Sequence, residues 1–442
     1  MKIYFVSLGC DKNRVDSEKM LGLMLEKGYE LTDDEYAADI AVVNTCSFIL
    51  DAKDESISTI LELADLKNEG SLKSLIVTGC LAQRYHSDIK EEIPEVDAVL
   101  GTNSYDDIIN AIENAPGDKI YESVKELKGF PDIPPRSRYL LPPYHYAYLK
   151  IAEGCNKNCT YCAIPAMRGG YRSVPEEDLV KEAEFLASNG VKELILVAQE
   201  TTLYGVDIYG RKSLPDLINR LSKIPEIEWI RILYAYPEEI TDKLIETIAD
   251  NGKVCKYIDM PIQHTDDEIL KRMGRRTDRA GIESLIKKLR SRIPDITIRT
   301  TLISGFPGET DAQHKAQLDF IRENRLDRVG VFSYSPEEGT KAAEFPGQIE
   351  DDIKDARRDE ILEAQQEISL SINEDTVGDI ISVINEGYLP DDDIYAGRSQ
   401  KDAPDVDGYV FYKSVKNLMS GDISRVLITK ASEYDLYGEE IK

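Results

Sequence analysis

Along most of this chain short apolar runs alternate with helix-length amphipathic stretches, and few folds accommodate that rhythm. In the first hundred residues the runs at 3–8, 39–43, 74–77 and 98–100 read as buried strands, with helical stretches such as 16–27, 51–67 and 105–113 between them. Strand–helix alternation implies a parallel sheet covered on both faces, so 1–127 reads as a doubly wound α/β domain. Residues 128–143 hold five prolines without any period and read as a linker. The alternation then resumes over 144–372. Strand candidates lie at 147–151, 193–198, 229–233, 257–261, 297–303 and 328–332, and helices such as 175–188, 241–250 and 280–290 between them. Six βα units predict a partial or full βα barrel with its site at the carboxyl ends of the strands. After a charged helix at 349–371 the texture changes to short strands (378–384, 394–398, 408–413, 424–431) punctuated by Gly, Asp and Pro. This predicts a small all-β module over 373–442.

A length of 442 residues suits two or three such units, and 42% apolar residues suffice for real cores. No apolar run approaches the roughly 20 residues a bilayer span needs. The opening MKIYFVSLGCDKNRVD reads as a first strand, not a signal peptide, so a soluble, cytoplasmic protein without membrane contact is expected. A formal charge of −28 disfavours broad contact with phosphates and suits a basic partner, or serves solubility alone. It is compatible with a monomer.

In a reducing compartment seven cysteines are not a disulfide framework. Cys155, Cys159 and Cys162 fall within eight residues, just after the first barrel strand. Three thiolates can hold one face of a 4Fe-4S cube and leave its fourth iron open, as a catalytic site needs. A structural zinc or an electron-transfer cluster is the alternative. Polar residues collect where later barrel strands end: Gln199 and Glu200 after the second, Gln263 and His264 after the fourth, Gly305 to Thr310 after the fifth. Together they predict a cofactor pocket on one face, with His264 by itself a hydrogen-bonded wall residue. Cys10, Cys46 and Cys80 are scattered in sequence, yet each follows a predicted strand of the first sheet. Neighbouring strands stand about 4.8 Å apart, so the three thiols can converge in the crevice where open α/β sheets bind ligands. Three separate buried cysteines are the alternative. Cys255 has no such partners and reads as a core residue.

The Cys155-x3-Cys159-x2-Cys162-x2-Pro165 loop resembles the signature of the radical S-adenosylmethionine superfamily. The whole layout resembles the methylthiotransferases, from the N-terminal cysteine triad through Arg168-Gly169-x-x-Arg172-Ser173 to a C-terminal module of the TRAM type. That resemblance implies two 4Fe-4S clusters, one on each triad. It also implies S-adenosyl-L-methionine as the source of both a 5′-deoxyadenosyl radical and a methyl group, with Tyr161 near the adenine. A reductant such as flavodoxin or ferredoxin is implied as well. The family loop usually carries more positive charge than Asn156, Asn158 and Thr160 provide here.

Two branches of that family differ in substrate. One modifies an adenosine of transfer RNA, the other the β-carbon of an aspartate in the twelfth protein of the small ribosomal subunit. From 371 to 442 there are 15 acidic against 7 basic residues, with Asp402, Asp405 and Asp407 in one loop and Asp391 to Asp393 upstream. Such a module is a poor phosphate reader and suits a basic ribosomal protein, free or in the subunit. This expectation takes those aspartates to face the partner, or to be a solvated loop. Its segment 397–408 also resembles the ribosomal-protein branch. A non-catalytic cluster carrier is disfavoured by the pocket of strand-end polar groups.

Overall fold

In a computed structural model, which describes residues 1–115 and 119–441, the chain forms two α/β units and a small β-barrel. The first unit is a six-stranded parallel sheet of β1 (Lys2–Ser7), β2 (Glu30–Thr32), β3 (Ile40–Thr45), β4 (Ser74–Gly79), β5 (Ala98–Leu100) and β6 (Tyr121–Ser123), in the order β2-β1-β3-β4-β5-β6. Helices α1 (Asp11–Glu26) and α4 (Ile108–Asn114) cover one face, and α2 (Leu50–Asn68) and α3 (Cys80–Glu92) the other. β3 and β4 are buried along their whole length, which is why their sequences are apolar without alternation. The two unexpected strands, β2 and β6, are three-residue edges too short and polar to register as apolar runs. α1 begins at Asp11, earlier than its apolar pattern suggests, because Lys12, Asn13, Asp16 and Glu18 are buried polar groups that break the helical period.

The second unit holds β7 (Tyr146–Lys150), β8 (Ala152–Glu153), β9 (Arg172–Ser173), β10 (Glu193–Val197), β11 (Trp229–Ile232), β12 (Tyr257–Asp259), β13 (Thr297–Ser304) and β14 (Arg328–Ser333). Two parallel three-stranded sheets, β11-β10-β7 and β12-β13-β14, are joined through an Ile230–Val254 bridge and an Ala235 N–H donated to the Asp259 carbonyl at 2.8 Å. Among the described residues β7 and β14 do not pair, so the barrel is partial. Its helices, among them α6 (Glu176–Ser188), pack around one large apolar core, while the short α5 (Ile164–Arg168) lies against α3. Cys255 is buried in a neighbouring cluster, as expected of a core residue.

The proline-rich segment between the units is an ordered strut. Its Arg138 is buried, donating to Glu18 of α1 at 2.8 Å and to Glu182 of α6 at 2.6 Å. At the other end, β15 (Ile380–Leu389), β16 (Ile394–Ser399), β17 (Val410–Lys413), β18 (Ile423–Ala431) and β19 (Leu436–Glu440) close into a barrel in the order β15-β16-β17-β19-β18. The β16–β17 loop corrects one expectation. Asp402 and Asp407 neither face a partner nor lie solvated; their side chains are buried against the amino ends of the α/β barrel strands. Asp402 pairs with Arg328 at 3.0 Å, and Asp407 accepts from Tyr257 at 2.8 Å and lies 3.6 Å from Arg299. Arg231 donates to the Gln400 carbonyl at 2.9 Å and to Glu193 at 2.7 Å, and Arg398 reaches the same Glu193 at 2.8 Å. Burial demands this pairing, since an unpartnered charge there costs several kcal/mol. Asp391 to Asp393 do remain exposed.

Candidate functional site

The first cysteine loop is tied at its foot. β8 and β9 pair antiparallel, Ala152 with Ser173 and Glu153 with Arg172, so residues 154–171 leave and return at one point. Gly154 makes that closure possible. Its φ is +77°, and a Cβ there would sit 2.2 Å from the Gly170 carbonyl oxygen. The Cys155 N–H donates to the Gly169 carbonyl at 3.0 Å, and Thr160 is held on both sides by Met273 and Ala342 backbone at 2.9 and 2.8 Å. Cys155 and Cys159 are buried, Cys162 is half-buried, and none forms a disulfide. Burial pushes the Cys155 thiol up to about 11 and Cys162 up to about 12, and the nearby Cys159 adds to both.

The second triad stands at the carboxyl ends of adjacent strands, as expected: Cys10 after β1, Cys46 after β3, Cys80 after β4. Gly9, with φ +90°, brings its backbone so close that a Cβ would meet the Cys46 sulfur at 3.0 Å. Asn13 laces the loops, donating to the Leu8 and Thr45 carbonyls at 3.0 and 2.9 Å, with its Oδ1 3.8 Å from the Cys80 sulfur. Cys10 caps α1 and Cys80 opens α3, so two helix N-termini point positive ends at the thiols and favour anionic ligands there. Burial nevertheless raises Cys46 to about 12, with the charges of Cys80 and Cys10 adding to it. It raises Cys80 too, against the opposing pull of Arg168.

A buried polar seam joins the triads, and sequence reasoning missed most of it. Arg168, at the end of the first loop, donates to Asp16 of α1 at 2.8 Å and to Glu153 at 3.1 Å, and it bonds Asn13. Lys150 bonds Asp16 and donates to Glu153 at 2.7 Å. Gln199 donates to Glu153 at 2.6 Å. Burial opposes ionisation of Glu153, but Lys150 and Arg168 outweigh it and hold the carboxyl well below its usual range. Lys12 stacks 3.4 Å over the Tyr234 ring, whose hydroxyl donates to Asp11 at 3.2 Å. Of this seam only Arg168 and Gln199 stood out in sequence; nothing in the helical pattern of α1 gave a partner for Asp16.

Around the first loop several buried polar atoms make no hydrogen bond: Gln199 Oε1, Glu200 Oε2, Glu238 Oε2, which stands 3.9 Å from Arg275 Nη2, and Arg275 Nε and Nη1. Glu200 is pushed up to about 7 by burial, partly countered by its bond to Thr202 and by Lys157. The Tyr161 phenol lies beside Cys159 and Arg275, its pKa raised by burial first and by the thiol second. Gln263 has φ +72° and is bridged to Leu302, and Tyr234, at the end of β11, has φ +58°. Non-glycine residues hold such angles only where their surroundings enforce them, often at ligand sites. Gly305 behaves differently from the expectation. A Cβ there would strike Lys354 of the long helix Asp351–Glu374 at 2.3 Å, so its close approach is to protein rather than to an open pocket. His264 is buried, accepting at Nδ1 from the Asp266 N–H at 3.0 Å, with Nε2 unbonded and 3.5 Å from Glu309.

These features fit a cofactor with an amino group, a carboxylate and a ribose, because unpartnered donors and acceptors of both signs surround three free thiols. Among the described residues no three His, Cys, Asp or Glu side chains draw together as around a single ion. The ligands of an iron–sulfur cube each bind their own iron and stand farther apart. A cavity of about 530 Å³ opens along the outer side of the loop, lined by Cys159, Cys162 and Arg84 among others.

Residues 2–101 match the "Uncharacterized protein family UPF0004", 149–321 the radical SAM superfamily and 377–441 the TRAM domain. A ribosomal protein uS12 methylthiotransferase RimO of Lachnoclostridium phytofermentans is 56% identical over 99% of both chains, and one of Clostridium botulinum is 48% identical over 99% of this chain and 98% of its own. Among solved structures, the radical S-adenosylmethionine methyltransferase TsrM of Kitasatospora setae superimposes with a TM-score of 0.54 over 86% of this chain and 77% of its own, at 14% identity, a likeness of fold. Full-length identity of this order, with all three domains in sequence, establishes the family: the chain is a member of the RimO methylthiotransferases of the radical SAM superfamily.

Proposed function

We propose that this protein converts a C–H bond at the β-carbon of an aspartate in uS12, the twelfth small-subunit ribosomal protein, to C–SCH3. Its relatives are named ribosomal protein uS12 methylthiotransferases. The observation that carries the reading here is the pair of free three-cysteine sites at the carboxyl ends of two parallel sheets, bridged by Arg168, Asp16, Lys150 and Glu153.

In this reading Cys155, Cys159 and Cys162 hold the catalytic 4Fe-4S cluster, and Cys10, Cys46 and Cys80 hold a second. When bound, the reduced first cluster would supply an electron to S-adenosyl-L-methionine to give the 5′-deoxyadenosyl radical, a second S-adenosyl-L-methionine would supply the methyl group, and the second cluster would carry the sulfur to be inserted. Arg275, Gln199, Glu200 and Glu238 offer the unpartnered donors and acceptors that orient S-adenosyl-L-methionine, with Tyr161 against its adenine and Gln263 in the wall. Gly305 acts at one remove, its N–H fixing Glu309 at 2.9 Å. Because burial holds the Cys46, Cys80, Cys155 and Cys162 thiols protonated, loading iron there must release protons, and the Arg168 guanidinium favours that release at Cys80. Electrons come from flavodoxin or ferredoxin, and the enzyme works in the cytoplasm as a monomer.

The test is mass spectrometry of purified uS12 after anaerobic reaction with dithionite and S-adenosyl-L-methionine. One methylthio group on an aspartate is expected, and modification of transfer RNA instead would overturn the substrate. Cys159→Ala is expected to abolish 5′-deoxyadenosine formation. Cys46→Ala should keep that uncoupled cleavage and lose sulfur insertion; equal loss of both would remove the division of labour between the triads.

A further inference from the structure

Helix α2 starts four residues after Cys46 and carries an apolar stripe that the protein itself does not cover. Leu50, Ile57 and Leu61 are 54, 40 and 47% exposed, and Phe48, just ahead of the helix, is 52% exposed. The spacing Leu50, Asp54, Ile57, Leu61, Asp65 puts them on one face. At 1.5 Å per residue the stripe runs about 16 Å away from the second cysteine site. Its flanks are acidic: Asp51, Asp54, Glu55, Glu62 and Asp65 are all exposed. Lys53, the one cation in the first half of the helix, is held at 3.0 Å by Glu337 of the segment after β14. That contact also sets the start of α2 beside Glu338, which lines the cavity along the first cysteine loop.

We infer that this face of α2 is the docking surface for the basic protein substrate, taking an apolar segment flanked by Lys or Arg and leading the aspartate toward the Cys46 end of the helix. The inference rests on the substrate proposed above. Four large apolar side chains left in water at the lip of the site mark an interaction surface, and the acids beside them select a cationic partner. The same acids repel a flavodoxin or ferredoxin, which are acidic.

Two variants test this in the full, cluster-loaded enzyme: Ile57→Ser with Leu61→Ser, and Asp54→Lys with Glu62→Lys. All four residues are exposed, and uncoupled S-adenosyl-L-methionine cleavage without uS12 reports that the fold and the catalytic loop are intact. In each variant KM for uS12 should rise about tenfold with kcat unchanged. The rise in KM with added salt, steep in the parent, should flatten in the charge-reversed variant. An unchanged KM in both variants overturns the inference. So does sedimentation showing that the parent is a dimer and that the apolar variant dissociates it, which would make a second copy the occupant. If the parent itself never methylthiolates uS12, the functional reading fails instead, so the two failures are distinguishable.

Discussion

Between the two cysteine sites sits a single guanidinium, that of Arg168, in contact with Asp16 on one side and Glu153 on the other. Its loss leaves two buried carboxylates sharing Lys150 alone, and breaking such a cluster costs about 3–5 kcal/mol. Arg168→Met should therefore lower unfolding stability by that amount in urea titration; a change under about 1 kcal/mol would mean that water enters the seam. Gly154→Ala puts a methyl group against the Gly170 carbonyl and should part β8 from β9. Such a variant is expected to purify folded, by circular dichroism, yet to lose cluster absorbance and 5′-deoxyadenosine formation. At this scale the sequence told much about thiols and little about their supports. The cysteines announce themselves by spacing and by their position after strands. Lys12, Asn13 and Asp16 look like the wet side of a helix, because a buried polar face inverts the periodicity by which burial is read.

The β16–β17 loop shows the same limit one level up. Its aspartates were visible in the sequence, but their partners lie far away in it: Arg328 is 74 residues from Asp402, and Tyr257 is 150 from Asp407. Composition alone could not separate an acidic surface from an ion-paired plug. Strand–helix alternation, a local signal, gave the parallel sheets, left the barrel open between partial and full, and missed the short strands β2, β6, β8 and β9. The plug has a pH signature. Burial disfavours the Glu193 carboxylate, but Arg398 and Arg231 outweigh it and lower its pKa from 4.5 to about 2. Its stabilisation is thus complete above about pH 4.5 and disappears as pH falls through about 2. Urea unfolding of the parent should weaken more steeply over that window than that of Glu193→Gln, and parallel profiles would show the pair to be energetically silent.

Across the molecule, the C-terminal barrel belongs to the α/β barrel's foundation. Removing residues 373–442 would bare Arg231, Arg328 and Tyr257 and take away the carbonyl, carboxylates and ring packing that satisfy them. The shortened chain 1–372 should aggregate on expression; a soluble, cluster-binding product would show the module to be dispensable for folding. The strut has a different consequence. Arg138 rivets Glu18 to Glu182, Lys19 adds a 3.3 Å contact to the same Glu182, and Lys150 and Arg168 clamp Asp16 from across the boundary. Jaws fastened this way have no hinge. The gap between the two cysteine sites is therefore set when the chain folds and not when a guest arrives, so a substrate side chain that needs both must itself travel between them.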